Sequence, residues 1–244
     1  MSRRLLLLSN STLPGEPFLS WPTDAIRAFL GESVQRVLFV PFAGVRISFD
    51  DYSARVRERF TDLGYALDSV HECSDPIEAV QNAEAIVVGG GNTFHLVAHL
   101  HRHGLVTEIA SRVLNGTPYV GWSAGANVAC PTLSTTNDMP IVEPASFSAL
   151  NLVPFQINPH FTDAVIPNHG GETRSERIAE FVIANPMRRV VGLPEGTGLL
   201  VENETVTPVG EASATLFGSA HPPRRLSPAD LGVLLAEPVF GAPG

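Results

Sequence analysis

Residues 121–125 read GWSAG, a serine between two glycines, after a short apolar run and before a stretch of small residues. Gly-x-Ser-x-Gly in that setting is the sequence form of a strained strand-to-helix turn, which exposes the serine oxygen at the carboxyl end of a sheet. Open α/β sheets bind their ligands at that edge. Ser123 is therefore a candidate nucleophile, and its competing reading is a bend of small residues. The backbone N–H of Ala124 would open a helix, where an N–H and the helix dipole both favour an oxyanion. A second donor is expected from residues 87–93, VVGGGNT, which follow one strand and precede a helix capped by Asn92 or Thr93. There, Gly90 or Gly91 can turn an N–H toward a ligand. GGGN does not have the G-x-G-x-x-G spacing of a dinucleotide loop.

A serine nucleophile needs a base within hydrogen-bond reach. The chain has eight histidines. His95, His99, His101 and His103 lie on or near one helix, and His95 and His99 share a face. No H-E-x-x-H arrangement accompanies them, so they are read as a solvated helix face rather than a metal pair. His160 stands in FQINPHFTD, residues 155–163, after a short apolar strand and a proline. That puts it in a loop at a strand end, where catalytic groups collect. Three acids could orient it: Asp138 in TTNDMPIV, Asp163, and Glu195 in VVGLPEGTG. Spacing alone leaves the choice open. One cation draws notice, Arg174 in GGETRSERI, in the first turn of a helix after the histidine loop. A guanidinium grips a carboxylate with two bonds, and the plainer reading pairs Arg174 with Glu176 or Glu180.

The elements that must position these groups alternate between apolar runs and amphipathic segments. Strands are expected at 3–9, 36–43, 65–70, 85–91, 118–123 and 189–193. Helices are expected at 23–31 (capped by Thr23 or Asp24), 49–64, 76–83, 93–104, 105–116 and from 124. Such repetition implies an α/β fold with a mostly parallel sheet flanked by helices on both faces. Alternation at 197–202 and 205–210 around Glu202-Asn203 predicts an antiparallel hairpin toward the C-terminus. The proline-rich tail, about 220–244, is expected to be partly irregular. No repeat or linker divides the chain, so residues 1–244 are read as one catalytic domain.

The 244 residues carry a formal net charge of −9, which excludes a general nucleic-acid binder. Two distant cysteines, Cys73 and Cys130, imply no disulfide framework and a reducing compartment. Residues 1–12 place four leucines after two arginines and then turn polar at once, too short an apolar stretch for a secretory signal. A soluble, cytoplasmic protein without membrane contact is expected.

Six segments together resemble peptidase E, the α-aspartyl dipeptidase family of serine peptidases: VVGGGNTF, YVGWSAGANVACPT, TTNDMPIV, QINPHFT, GETRSERI and GLPEG, in order over residues 85–200. The resemblance implies a class I glutamine amidotransferase-like fold. It also implies Ser123 as nucleophile, His160 as base, and the Gly91 and Ala124 amides as the oxyanion hole. Glu195 is implied as the orienting acid, with Asp138 as the other assignment, and Arg174 is taken as the grip on the substrate's aspartyl side chain. The implied reaction removes an N-terminal aspartate from Asp-X dipeptides and needs no metal or organic cofactor. The implied partners are small peptides with N-terminal aspartate, the chain being a monomer or homodimer. Three alternatives stand beside it. One is an α/β-hydrolase esterase, whose histidine comes late in the chain. Another is a cyanophycinase-like peptidase acting on β-aspartyl linkages, and the third is a non-catalytic binding module of the same fold.

Overall fold

The computed structural model describes residues 3–165, 167 and 170–235. Its chain order is β1 (Arg4–Leu8), α1 (Thr23–Leu30), β2 (Arg36–Val40), α2 (Phe49–Leu63), β3 (Ala66–Ser69), α3 (Pro76–Gln81), β4 (Ile86–Val88), α4 (Thr93–Arg102), α5 (Leu105–Leu114), β5 (Tyr119–Trp122) and α6 (Ala124–Asn127). There follow β6 (Gln156–Pro159), α7 (Arg174–Ala184), β7 (Val190–Leu193), β8 (Gly198–Glu202), β9 (Thr205–Val209), β10 (Thr215–Gly218) and β11 (His221–Arg225). A seven-stranded sheet runs β3-β2-β4-β5-β1-β8-β9. Its β1 to β5 strands are parallel, and the β8–β9 hairpin adds to β1 in antiparallel sense.

The period-2 alternation of buried strands sorts the leucines of β1 onto two faces. Leu5 and Leu7 join one core with α3, α4, α5 and α6, while Leu6 and Leu8 join the other with α1 and α2. Val37 and Phe39 against Leu38 and Val40 in β2 repeat the division. Helices therefore cover both faces, as the alternating pattern implies. Asn92 caps α4 through its side chain, whereas α1 starts after Pro22 rather than at a side-chain cap from Thr23 or Asp24.

A second sheet, β11-β10-β7-β6, was not anticipated. Its β6 and β7 pair in parallel, and β10 and β11 are antiparallel additions. One face adds Ile157, Val191 and Leu193 to the main core. The other packs Val190 and Phe217 against Ile178 and Val182 of α7. The tail thus supplies an edge strand in β11 and a 3-10 turn at Pro228–Leu234, and residues 236–244 lie outside the described ones. Among the described residues no helix is long and apolar enough to cross a membrane.

Candidate active site

Ser123 follows β5 and opens α6 at φ +52°, ψ −112°, a conformation rare for a residue with a side chain. Its N–H bonds Leu8 O at 3.0 Å, and its own carbonyl accepts the Ala126 and Asn127 amides. The two flanking glycines are there because backbones touch. A Cβ on Gly121 would strike the Gly125 carbonyl, and one on Gly125 would strike the carbonyl of Val88 in β4.

The side chain of Ser123 begins a hydrogen-bonded line. Its Oγ lies 3.0 Å from His160 Nε2, and His160 Nδ1 lies 2.7 Å from Glu195 Oε1. A carboxylate only accepts, so Nδ1 carries the proton in this pair and Nε2 is left to accept the serine hydroxyl. His160 caps the end of β6 and Glu195 the turn after β7, so two parallel neighbours in the smaller sheet present base and acid side by side. His160 itself sits at φ +53°.

Of the three acids that spacing left open, the structure brings only Glu195 to the histidine. Asp138 is corrected in this respect. Its Oδ2 accepts the Thr93 N–H at 2.7 Å and the Thr93 hydroxyl at 2.6 Å, with Thr136 Oγ1 2.9 Å away. The amino end of α4 thus holds this carboxylate, where the helix dipole favours negative charge. Asp163 accepts from Ser175 Oγ at 2.8 Å instead.

Ala124 directly follows the serine, and Gly91 lines the same cleft. Gly91 has φ +142°, and a Cβ there would strike Ala43 O. Among the described residues neither the Gly91 nor the Ala124 amide donates to a protein acceptor. The peptide before Gly91 is gripped by Tyr52, whose hydroxyl donates to Gly90 O at 3.0 Å and accepts from Trp122 Nε1 at 3.2 Å. Burial pushes the Tyr52 phenol far above its usual value, so it stays a donor. In a trans peptide the N–H opposes the C=O, so fixing Gly90 O also fixes the direction of the Gly91 N–H.

Arg174 starts α7, capped by Thr173 in a box with Glu176. Glu176 is therefore spent on the cap, and no carboxylate pairs with Arg174 among the described residues. Its guanidinium instead donates to His160 O at 2.8 Å. Burial, and then the neighbouring Arg177 charge, lowers Arg174 from its usual value. Ser123, His160, Arg174, Asp138, Gly90 and Gly91 line one cleft of about 800 Å³.

The α4 histidines need a second correction. His95 and His99 are half-buried rather than turned to solvent: His95 Nδ1 meets Phe42 O at 2.7 Å, and His99 stacks on Phe42 and meets Phe49 edge-on. Desolvation, then His95, Arg102 and His103, lowers the His99 pKa to about 4. Among the described residues the one group of three metal-capable side chains is Asp50, His71 and Glu72. There, both His71 nitrogens are taken up, by Ser69 and Asp50, and Glu72 is paired with Arg57.

The serine elbow, the histidine loop and the acid turn fall in a stretch of chain that a family model matches from residue 5 to residue 209, that of peptidase family S51. The chain belongs to peptidase family S51. Relatives agree over most of its length. It is 55% identical over 217 residues to peptidase E of Nostoc sp. strain PCC 7120, covering 89% of this chain and 90% of that protein. It is 46% identical over 213 residues to peptidase E of Escherichia coli O6:K15:H31, covering 87% and 93%. A solved peptidase from an acI-B1 Actinobacterium shares the fold, with a TM-score of 0.67 at 19% identity over 93% of this chain and 95% of that one. As an S51 member, the chain is a peptidase.

The sequence reading passed over Tyr52, Ser9, Asn10 and Asn137, all hydrogen-bonded to the backbone that carries the site, and Trp122, whose Nε1 donates to the Tyr52 hydroxyl. For Ser9 and Asn10 a signal existed: two polar residues directly after a buried strand, at the ligand edge of the sheet.

Proposed function

We propose that the protein is a serine-dependent dipeptidase that removes an N-terminal α-aspartyl residue from Asp-X. The observation that carries the reading is the line from Ser123 Oγ through His160 to Glu195, 3.0 Å and 2.7 Å long. His160 Nε2 takes the serine proton as Oγ attacks the aspartyl carbonyl carbon, and the carbonyl oxygen gathers charge between the Gly91 and Ala124 amides. The C–N bond then breaks, with His160 returning the proton to the leaving amine. Water, deprotonated by the same histidine, hydrolyses the aspartyl ester and frees Ser123. Glu195 holds the ring and balances the imidazolium.

Arg174, free of any carboxylate partner among the described residues, is assigned to the aspartyl side chain. The Asp138 carboxylate, held on Thr93 and lining the same cleft, is assigned to the substrate's α-ammonium. The test is a panel of Asp-Leu, β-Asp-Leu, Glu-Leu and Leu-Leu, with Asp-Leu expected to be cleaved far ahead of the others. Arg174→Ala is expected to lower the Asp-Leu to Leu-Leu ratio of kcat/KM by about 10- to 100-fold, the loss of one charge-assisted contact. An unchanged ratio would place the cation elsewhere. Because Arg174 also holds His160 O, the ratio and not the absolute rate is the reading.

A further inference from the structure

Strand β1 supplies no reactive side chain, yet its last residue and the two that follow it hold the backbone of Ser123, of His160 and of the residue after Glu195. Leu8 O accepts the Ser123 N–H at 3.0 Å. Ser9 Oγ accepts the His160 N–H at 2.8 Å and donates its own proton to Leu193 O at 2.7 Å. Asn10 Oδ1 accepts the N–H of Gly196, the residue after Glu195, at 2.8 Å. The Asn10 amide is fixed in turn by donating to Thr12 O at 2.9 Å, and Ser9 N donates to Thr197 O at 2.8 Å. Ser9 and Asn10 are both buried.

These bonds cross a structural divide. Ser123 rides on the seven-stranded sheet, while His160 and Glu195 ride on the four-stranded one, and the two sheets share no strand. Backbone ladders therefore do not set the distance between nucleophile and base. His160 also occupies the left-handed region, which for a residue with a side chain costs about 1–3 kcal/mol and persists only where neighbours over-determine it. Its neighbours do so. Ser9 holds its N–H, Arg174 holds its carbonyl, and Asn137 Nδ2 holds the preceding Pro159 carbonyl at 2.7 Å. A buried polar side chain placed for packing alone would have no reason to satisfy one group on each catalytic loop.

We propose that Ser9 and Asn10 are positioning residues, which set His160 and Glu195 against Ser123 across the gap between the sheets. The inference rests on the reading of Ser123 as nucleophile and His160 as its base. Removing Ser9 Oγ orphans the buried His160 N–H and frees the loop to relax toward ordinary φ, carrying the ring away from Ser123. A misplacement on the order of 1 Å lowers a rate by about 100-fold.

Two measurements on the whole chain test it. The first is the rate at which a fluorophosphonate labels Ser123, followed by intact mass. The second is the low-field proton resonance of His160 Nδ1–H, which reads the bond to Glu195 without turnover. Ser9→Ala and Asn10→Ala are expected to slow labelling by about 10- to 100-fold and to shift or broaden the resonance, while unfolding remains one cooperative transition. Ser9→Thr, which keeps the hydroxyl, is expected to return close to the parent rate. Should Ser9→Ala not fold, Ser9→Cys and Asn10→Ala carry the comparison. Labelling at the parent rate in Ser9→Ala, or slowed labelling with the resonance unmoved, overturns the proposal. A parent chain that is not labelled at Ser123 sinks the serine mechanism instead, and the resonance alone then decides whether Ser9 positions His160.

Discussion

Ser123 and His160 both stand at positive φ, +52° and +53°, but different forces hold them there. Ser123 is wedged. Its turn lies on the main sheet, and the flanking glycines press against the carbonyls of Gly125 and Val88 with no room for a side chain. Gly90 also comes close from the next loop, where an added Cβ would stand 2.9 Å from Ser123 Cβ. His160 is tethered. Its support is the trio of bonds from Ser9, Asn137 and Arg174, over the small cluster of Phe161, Ile178, Val182, Val190 and Phe217. Its side chain is 40% exposed and that of Glu195 46%. Close packing fixes the nucleophile half of the cleft, and directional bonds fix the base half.

This difference orders the expected effects of substitution. Glu195→Gln should be the largest of the bond-held set, lowering kcat by about 10²- to 10⁴-fold with KM little changed, because the ring loses the partner that fixes its tautomer. Asp138→Asn should act mainly on KM if that carboxylate meets the substrate amine. Steady-state kinetics of both variants separates the two, and a kcat collapse in Asp138→Asn would return the orienting role to Asp138. Tyr52→Phe comes next. It removes the grip on the Gly90 carbonyl and should lower kcat by about 10- to 100-fold, less than outright loss of an oxyanion donor. Stability should fall by about 1–3 kcal/mol, since Gly90 O and Trp122 Nε1 are left without a buried partner. A parent kcat in Tyr52→Phe would show that packing alone aims the Gly91 amide.

The smallest effect concerns His99, packed beside the nucleophile half under Phe42 and Phe49. Its pKa is lowered to about 4 in the fold, against about 6.5 in the unfolded chain. Its contribution is therefore complete above about pH 6.5 and is lost as pH falls from there through about 4. Thermal unfolding across that range should decline more gently in His99→Phe than in the parent. Parallel curves would mean that the ring is solvated after all.

The same difference explains what the sequence made legible. Wedged sites leave a residue-type signature, since only glycine fits at 121, 125 and 91, and GWSAG and GGGN could be read as a nucleophile turn and a donor loop. Tethered sites leave little. Ser9 lies 151 residues from His160 and Asn137 lies 22 from Pro159, so no local pattern links them. The orienting acid stayed open for the same reason: Asp138 and Glu195 both follow loops near the serine, and only the pairing of β6 with β7 sets Glu195 beside His160. The second sheet escaped notice because β11, HPPRR, is exposed throughout and carries two prolines, which an edge strand tolerates and a central one does not.

The most direct test of the account is hydrolysis of Asp-Leu by the parent chain and by Ser123→Ala, with product aspartate measured over time. The account predicts cleavage by the parent and a loss of at least about 10³-fold in kcat for Ser123→Ala, with β-Asp-Leu untouched by either. Cleavage at the parent rate by Ser123→Ala would contradict it.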